Sequence, residues 1–178
     1  MCGDNMNTLI NLLRKIIDTV GNLCSLLMVL MILNVFYDVV LRYFFNDVSI
    51  GMQELEWHFF AAMFMFGIGY TLKEDAHVRV DIIYDQLSSK KKAIINLVGS
   101  LLLALPFACV LIYFGWHYSY EAYAIGEGSG DPGGLPHRWI IRSVIPLSSL
   151  FLVLCITYVV LTQMRALMTK PNFKEVQK

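Results

Sequence analysis

The stretch AIINLVGSLLLALPFACVLIYFGWHYSY, residues 93–120, runs for 28 residues without an Asp, Glu, Lys or Arg. A helix rises about 1.5 Å per residue, so roughly 20 apolar residues cross the ~30 Å hydrocarbon core of a bilayer. This run exceeds that length and has room to tilt or protrude. Three further uncharged runs flank it: 19 residues over 19–37, 16 over 57–72 and 22 over 143–164. The second is short and must borrow a turn from Gln53–Glu56.

Composition points the same way. Of 178 residues, 57% are hydrophobic and 16% charged. Ordinary soluble domains have about 45–50% and about 25%. The 14 basic and 14 acidic residues cancel, and a neutral chain lacks the basic face that nucleic-acid binding needs. The expected fold is an all-α integral membrane protein forming a single membrane domain over 1–178. Its four transmembrane helices fall at about 18–43, 51–72, 90–122 and 138–166. The first run is too long for the apolar region of a signal peptide, and no small-x-small cleavage site follows it.

Basic residues set the expected orientation. With four spans both termini share one side, and that side holds 11 of the 14 basic residues. The termini and the 73–92 loop are therefore expected in the cytoplasm. Trp57, Trp116 and Trp139 then sit at the outer ends of three helices, where indole rings favour the membrane boundary. Cys2, Cys24, Cys109 and Cys155 show no C-x-x-C and no pair in an outer loop, so they read as free thiols.

Within the inner loop, Val80, Ile83, Tyr84 and Leu87 recur at i, i+3, i+4 and i+7. This predicts a short interfacial amphipathic helix at about 79–87. Arg79 on it, and Lys90, Lys91 and Lys92 after it, lie where head groups of anionic lipids can be met. Ser49 or Gly51 is expected to cap the second helix, and Ser88 or Ser89 the third. Pro106 and Pro146 should bend the third and fourth spans, while Gly67, Gly69 and Gly99 permit close helix approach.

The outer loop, about 124–137, carries five glycines in the nine residues 126–134. Glycine lowers helix stability by about 1 kcal/mol and proline by about 3, so this segment turns instead, and Asp131-Pro132-Gly133 is a turn signature. A flexible linker would have the same composition.

Charges inside spans are costly and often functional. Asp38 and Arg42 are four apart in the first helix, Glu54 and Glu56 open the second, and Arg138 and Arg142 open the fourth. These six gather at the outer helix ends, as helix-end or subunit contacts. The central stretches lack the acids that an ion path needs. His58 and His117 are the only candidate pair for a haem held between facing helices. A thiol oxidase would need a reactive outer cysteine pair, which is missing. No nucleophile triad, phosphate loop or metal cluster is legible, so no catalytic residue, metal or cofactor is assigned.

Four pieces together resemble the small membrane subunit of tripartite ATP-independent periplasmic (TRAP) transporters, the DctQ-type family. They are Leu41-Arg42-Tyr43-Phe44-Phe45-Asn46, Glu54-Leu55-Glu56, His77-Val78-Arg79-Val80-Asp81, and Ser129–Pro136 followed by Arg138-Trp139 and Val144-Ile145-Pro146-Leu147. The resemblance covers roughly residues 18–165. At Asp75-Ala76 many relatives have glycine. The resemblance implies a non-enzymatic scaffold in the bacterial inner membrane. Its implied partners are a large multispan membrane subunit carrying the substrate and sodium sites, a soluble periplasmic binding protein, and membrane lipids. Uptake of an organic acid would then be driven by sodium. Glu127 and Asp131 become candidates for docking the binding protein. A membrane anchor for a haem- or quinone-linked redox complex is the alternative.

Overall fold

A computed structural model describes residues 2–77 and 81–168. Every regular element among them is helical: α1 (Cys2–Phe44), α2 (Ile50–Lys73), α3 (Asp81–Tyr84), α4 (Ser89–Gly99), a π-helical segment (Ser100–Ala104), α5 (Leu105–Ala124) and α6 (Trp139–Met168). Three stretches are long and apolar enough to cross a membrane: Met6–Phe44, Ser89–Ala124 and Trp139–Met168. At 24 residues α2 has the length, but Glu54, Glu56, His58 and three glycines dilute its apolar character.

The long helices form an open row in the order α1, α2, α6, α5, with α4 also against α6. One third of the most apolar window of α6 is buried (33%), against 11% for each of the other two stretches, so α6 is the hub. Ile17 from α1 and Phe151 and Cys155 from α6 form the packed centre, joined by Phe66 and Tyr70 from α2. The low polarity of α1 extends over both of its sides. Among the described residues of α1 only a stripe at Ile10, Leu13, Ile17, Gly21, Asn34 and Asp38 is buried, at the three-and-four spacing of helix pairing. The amphipathic residues 9–17 are thus a continuation of α1, which starts well before the expected residue 18.

Lipid tails are as apolar as leucine, so association inside a bilayer relies on close packing and polar contacts. The close approaches occur at Gly21, Gly69 and Gly115. A Cβ on Gly69 would stand 2.8 Å from Phe151 Cε1 and 2.9 Å from Cys155 Sγ. One on Gly115 would stand 2.9 Å from Ile145 Cγ2 and 3.1 Å from Pro146 Cδ. Gly67 and Gly99 depart from the expectation, because nothing lies within 4 Å of either position.

The two prolines act differently. The π segment ends at Ala104, two residues before Pro106. Its wider turn relieves the clash between the proline ring and the carbonyl four residues back, Leu102. Pro146 lies inside α6, and its ring packs where Gly115 leaves room.

Helix ends follow local chemistry. Ser49 caps α2 and accepts a hydrogen bond from the Met52 N–H at 3.4 Å. Ser88 holds the cap position of α4 without using its hydroxyl. At the end of α2, Asp75 takes φ +58°, the left-handed conformation that favours glycine. Asp75 N–H donates to Leu72 O at 3.3 Å and Ala76 N–H to Thr71 O at 3.1 Å, so the helix closes with an aspartate in the usual glycine position. Of the interfacial helix expected at 79–87, the described part is one turn, Asp81–Tyr84. Arg79 lies outside the described residues. Tyr84 Oη donates to Asn96 Oδ1 at 3.2 Å, which fastens this turn to α4.

Candidate functional site

The polar side chains concentrate at the two ends of the helix row. At the end carrying the 125–138 loop, α1 presents Asp38, buried, whose Oδ2 accepts from Arg42 Nη2 at 2.5 Å. One turn earlier the buried Asn34 donates from Nδ2 to Met52 O at 2.9 Å, tying α1 to the first turn of α2. The i, i+4 spacing makes the Asp38–Arg42 pair local.

Glu54 does more. Its Oε1 accepts from Ser129 Oγ, and its Oε2 accepts from the Leu135 N–H at 2.6 Å. One carboxylate on α2 therefore holds both sides of the loop. Within the loop, Ser129 N–H donates to Leu135 O at 3.0 Å and Arg138 N–H to Glu127 O at 2.9 Å. Asp131-Pro132-Gly133-Gly134 closes as a turn, with Gly134 N–H donating to Asp131 O at 3.0 Å and Gly133 at φ +86°. Proline at the second position and a positive-φ glycine at the third define a type II turn. Gly134 has no room for a side chain, because a Cβ would collide with Ser129 and stand 2.9 Å from Glu54 Oε2. The segment is a built loop, which its composition left open.

The loop leaves α5 through Gly126 at φ +62°. Gly126 N–H donates to Tyr123 O at 3.1 Å and Glu127 N–H to Ala122 O at 2.9 Å, the pattern of a Schellman end. This delivers Glu127 to Arg142 on α6, at 2.5 Å, with both side chains about one fifth exposed (21% and 19%). The Arg142 guanidinium also stacks over the Tyr118 ring at 4.0 Å, a cation–π contact. Arg138 and Asp131 are exposed, and Glu56 is half-buried. Arg138 lies within Coulombic reach of Glu54, and among the described residues neither Arg138 nor Glu56 closes an ion pair within 4 Å.

Of the outer residues named from the sequence, Asp38 pairs with Arg42 and Glu127 with Arg142, while Glu54 binds the loop. On the opposite end, Lys90 and Lys91 are exposed. Lys92 Nζ lies 3.3 Å from Asp85 Oδ1 and 4.9 Å from the centre of the Tyr84 ring. The main contact there is one that sequence reasoning passed over. Lys73, with a side chain only 8% exposed, reaches Asp18 Oδ1 at 2.6 Å and also the adjacent Glu74. The signal was present: Asp18 immediately precedes the first uncharged run and Lys73 immediately follows the second, so an antiparallel hairpin brings them to one level.

The histidines make local bonds. His58 Nδ1 is 2.6 Å from Glu54 O and His117 Nδ1 is 2.8 Å from Tyr113 O. They lie on α2 and α5, which flank α6 on opposite sides, so the arrangement does not favour a haem shared between them. Cys24 is half-buried, Cys109 exposed and Cys155 buried, all free.

A sequence profile of the DctQ component of tripartite ATP-independent periplasmic transporters matches residues 31–166. A protein of Haemophilus influenzae designated a TRAP transporter small permease protein is 33% identical over 111 residues. That alignment covers 62% of this chain and 63% of the relative.

Proposed function

The chain belongs to the DctQ family of TRAP transporter components, and on that premise we propose that it is the small scaffold subunit of such a transporter. It is a multi-pass inner-membrane protein in which α2 is the fourth span. Its packing against both α1 and α6 supports this, since polar residues facing neighbouring helices cost less than polar residues facing lipid. Both termini face the cytoplasm by the distribution of basic residues. The 125–138 loop then faces the periplasm, and the interfacial turn before α4 lies at the inner surface.

In this reading the chain assembles with a large multispan subunit that moves the substrate. A periplasmic binding protein delivers an organic acid, and the sodium gradient drives uptake. The observation that carries it is the Glu54-centred closure of the outer loop, which turns a Gly/Pro-rich segment into a fixed surface. Asp131, exposed on that surface, and Glu127, beside it, would adjoin a docked binding protein. Arg42 and Glu56 would meet the large subunit, while Asp38, Glu54, Arg138 and Arg142 tie the helix ends and loop to each other. Arg79, Lys90, Lys91 and Lys92 would meet lipid at the inner interface.

An affinity pull-down of the tagged chain from native membranes in mild detergent, with mass spectrometry of what accompanies it, tests the subunit reading. A large multispan protein in stoichiometric amount is the expected companion. Recovery of the chain alone, or with redox subunits, would contradict it. Neutralising both Glu127 and Asp131 should reduce uptake at limiting binding protein, and unchanged uptake would remove the docking assignment.

A further inference from the structure

Two adjoining grooves lie below Arg138 and Arg142. The first, about 400 Å³, runs between α2 and α6 over Ala61, Met65 and Ile141, with both arginines on its wall. The second, about 540 Å³, runs along α5 past Val110, Leu111 and Phe114, with His117 and Glu121 toward its outer end. Tyr118 and Ile145 line both, so they form a common ridge.

The vertical arrangement is informative. Arg138 and Ile145 are seven residues apart, about 10 Å along the helix axis. One leaflet of hydrocarbon is about 15 Å deep, half of a ~30 Å core. A cationic mouth therefore stands over an apolar floor at the spacing of a lipid head group over its chains. The Arg142 charge is already matched by Glu127, and its guanidinium is held on Tyr118. Arg138 is exposed and within Coulombic reach of Glu54, whose two oxygens are engaged by Ser129 and Leu135, and it closes no ion pair within 4 Å among the described residues. A planar guanidinium binds phosphate through paired, charge-assisted hydrogen bonds.

We propose that this double groove is a phospholipid site, with the lipid phosphate on Arg138 and the two acyl chains on either side of the Tyr118–Ile145 ridge. Charge complementarity selects the phosphate, and the divided apolar floor selects a two-chain amphiphile over a small anion. The proposal goes beyond the transporter reading and stands whether or not a large subunit accompanies the chain.

Native mass spectrometry of delipidated protein, titrated with phosphatidylethanolamine or phosphatidylglycerol, tests it. One lipid should be retained by the unmodified chain. Arg138→Gln should weaken retention about tenfold, the loss of one charge-assisted contact. Ala61→Trp should fill the first groove and weaken retention with every charge in place. Inorganic phosphate at millimolar concentration should leave the lipid bound. Equal retention by the unmodified chain and both variants would overturn the proposal, as would displacement by free phosphate. So would a Met65→Cys variant that crosslinks to another polypeptide in the native membrane, since a protein would then occupy the groove.

Discussion

The two ends of the helix row solve the same problem with different means. At the terminus end, one lysine near the end of α2 bonds Asp18 on α1 and its own neighbour Glu74. That contact joins two helices and nothing else. At the other end, Glu54 bonds a loop 75 to 81 residues away, and Arg142 bonds Glu127 at the start of the same loop. Here the charges organise a surface. Between the ends, helix contact depends on glycines that allow backbones to approach. The difference teaches that charged residues at both ends clamp helices together, and that the Glu54 and Arg142 clamps also fix the course of a long loop.

The middle should be the most sensitive region. Gly69→Leu forces a branched side chain against Phe151 and Cys155, and overpacking of this kind typically costs about 1–3 kcal/mol. A loss near the upper figure, about 3 kcal/mol, is expected in denaturant titration of the detergent-solubilised protein. A loss below about 0.5 kcal/mol would mean that α2 and α6 are not held at that crossing.

The terminus-end clamp has a directional test. Replacing both acids, Asp18→Asn with Glu74→Gln, strands the Lys73 ammonium in a mostly covered position. Breaking a fully buried pair costs about 3–5 kcal/mol, but these carboxylates are 42% and 45% exposed, so about 2 kcal/mol is expected. Lys73→Met should cost less than the double variant, because both acids can still reach water. The opposite order of stabilities would break the assignment of Lys73 as the buried partner.

Two glycines sharpen the comparison further. Gly115→Ala should cost about 1 kcal/mol, since Ile145 and the Pro146 ring must give way. Gly67→Ala meets nothing within 4 Å and should be neutral or stabilising by up to about 1 kcal/mol through helix propensity. If Gly67→Ala leaves the isolated chain stable but abolishes recovery of the large subunit, that side of α2 is a subunit contact. Intact recovery would leave the face to lipid.

Much of this architecture is legible in the residues. Uncharged runs of bilayer length mark the long helices, and Asp131-Pro132-Gly133 announces the turn it forms. The family resemblance rests on short pieces, and the profile match over 31–166 covers all of them. Other features depend on distances that the chain order does not reveal. Glycine content shows that helices can approach, but which face meets a neighbour is decided by tertiary packing. Gly69 therefore makes the expected contact, Gly67 and Gly99 do not, and Gly21 and Gly115 do so unannounced. Pro106 signals a disturbed helix without showing that a π turn absorbs it. The closing of the outer loop by Glu54 was hidden for the same reason, because a Gly/Pro-rich segment reads alike whether it is clamped or free.

Hydrogen exchange of the amides in residues 126–138, compared between the unmodified chain and Glu54→Gln, tests most directly whether that loop is a fixed surface. Slow exchange at Ser129, Gly134, Leu135 and Arg138 in the unmodified chain is expected, with protection at Leu135 and Ser129 lost first in the variant. Exchange at the rate of an unstructured linker in the unmodified chain would contradict the clamp, and with it the docking surface built on it.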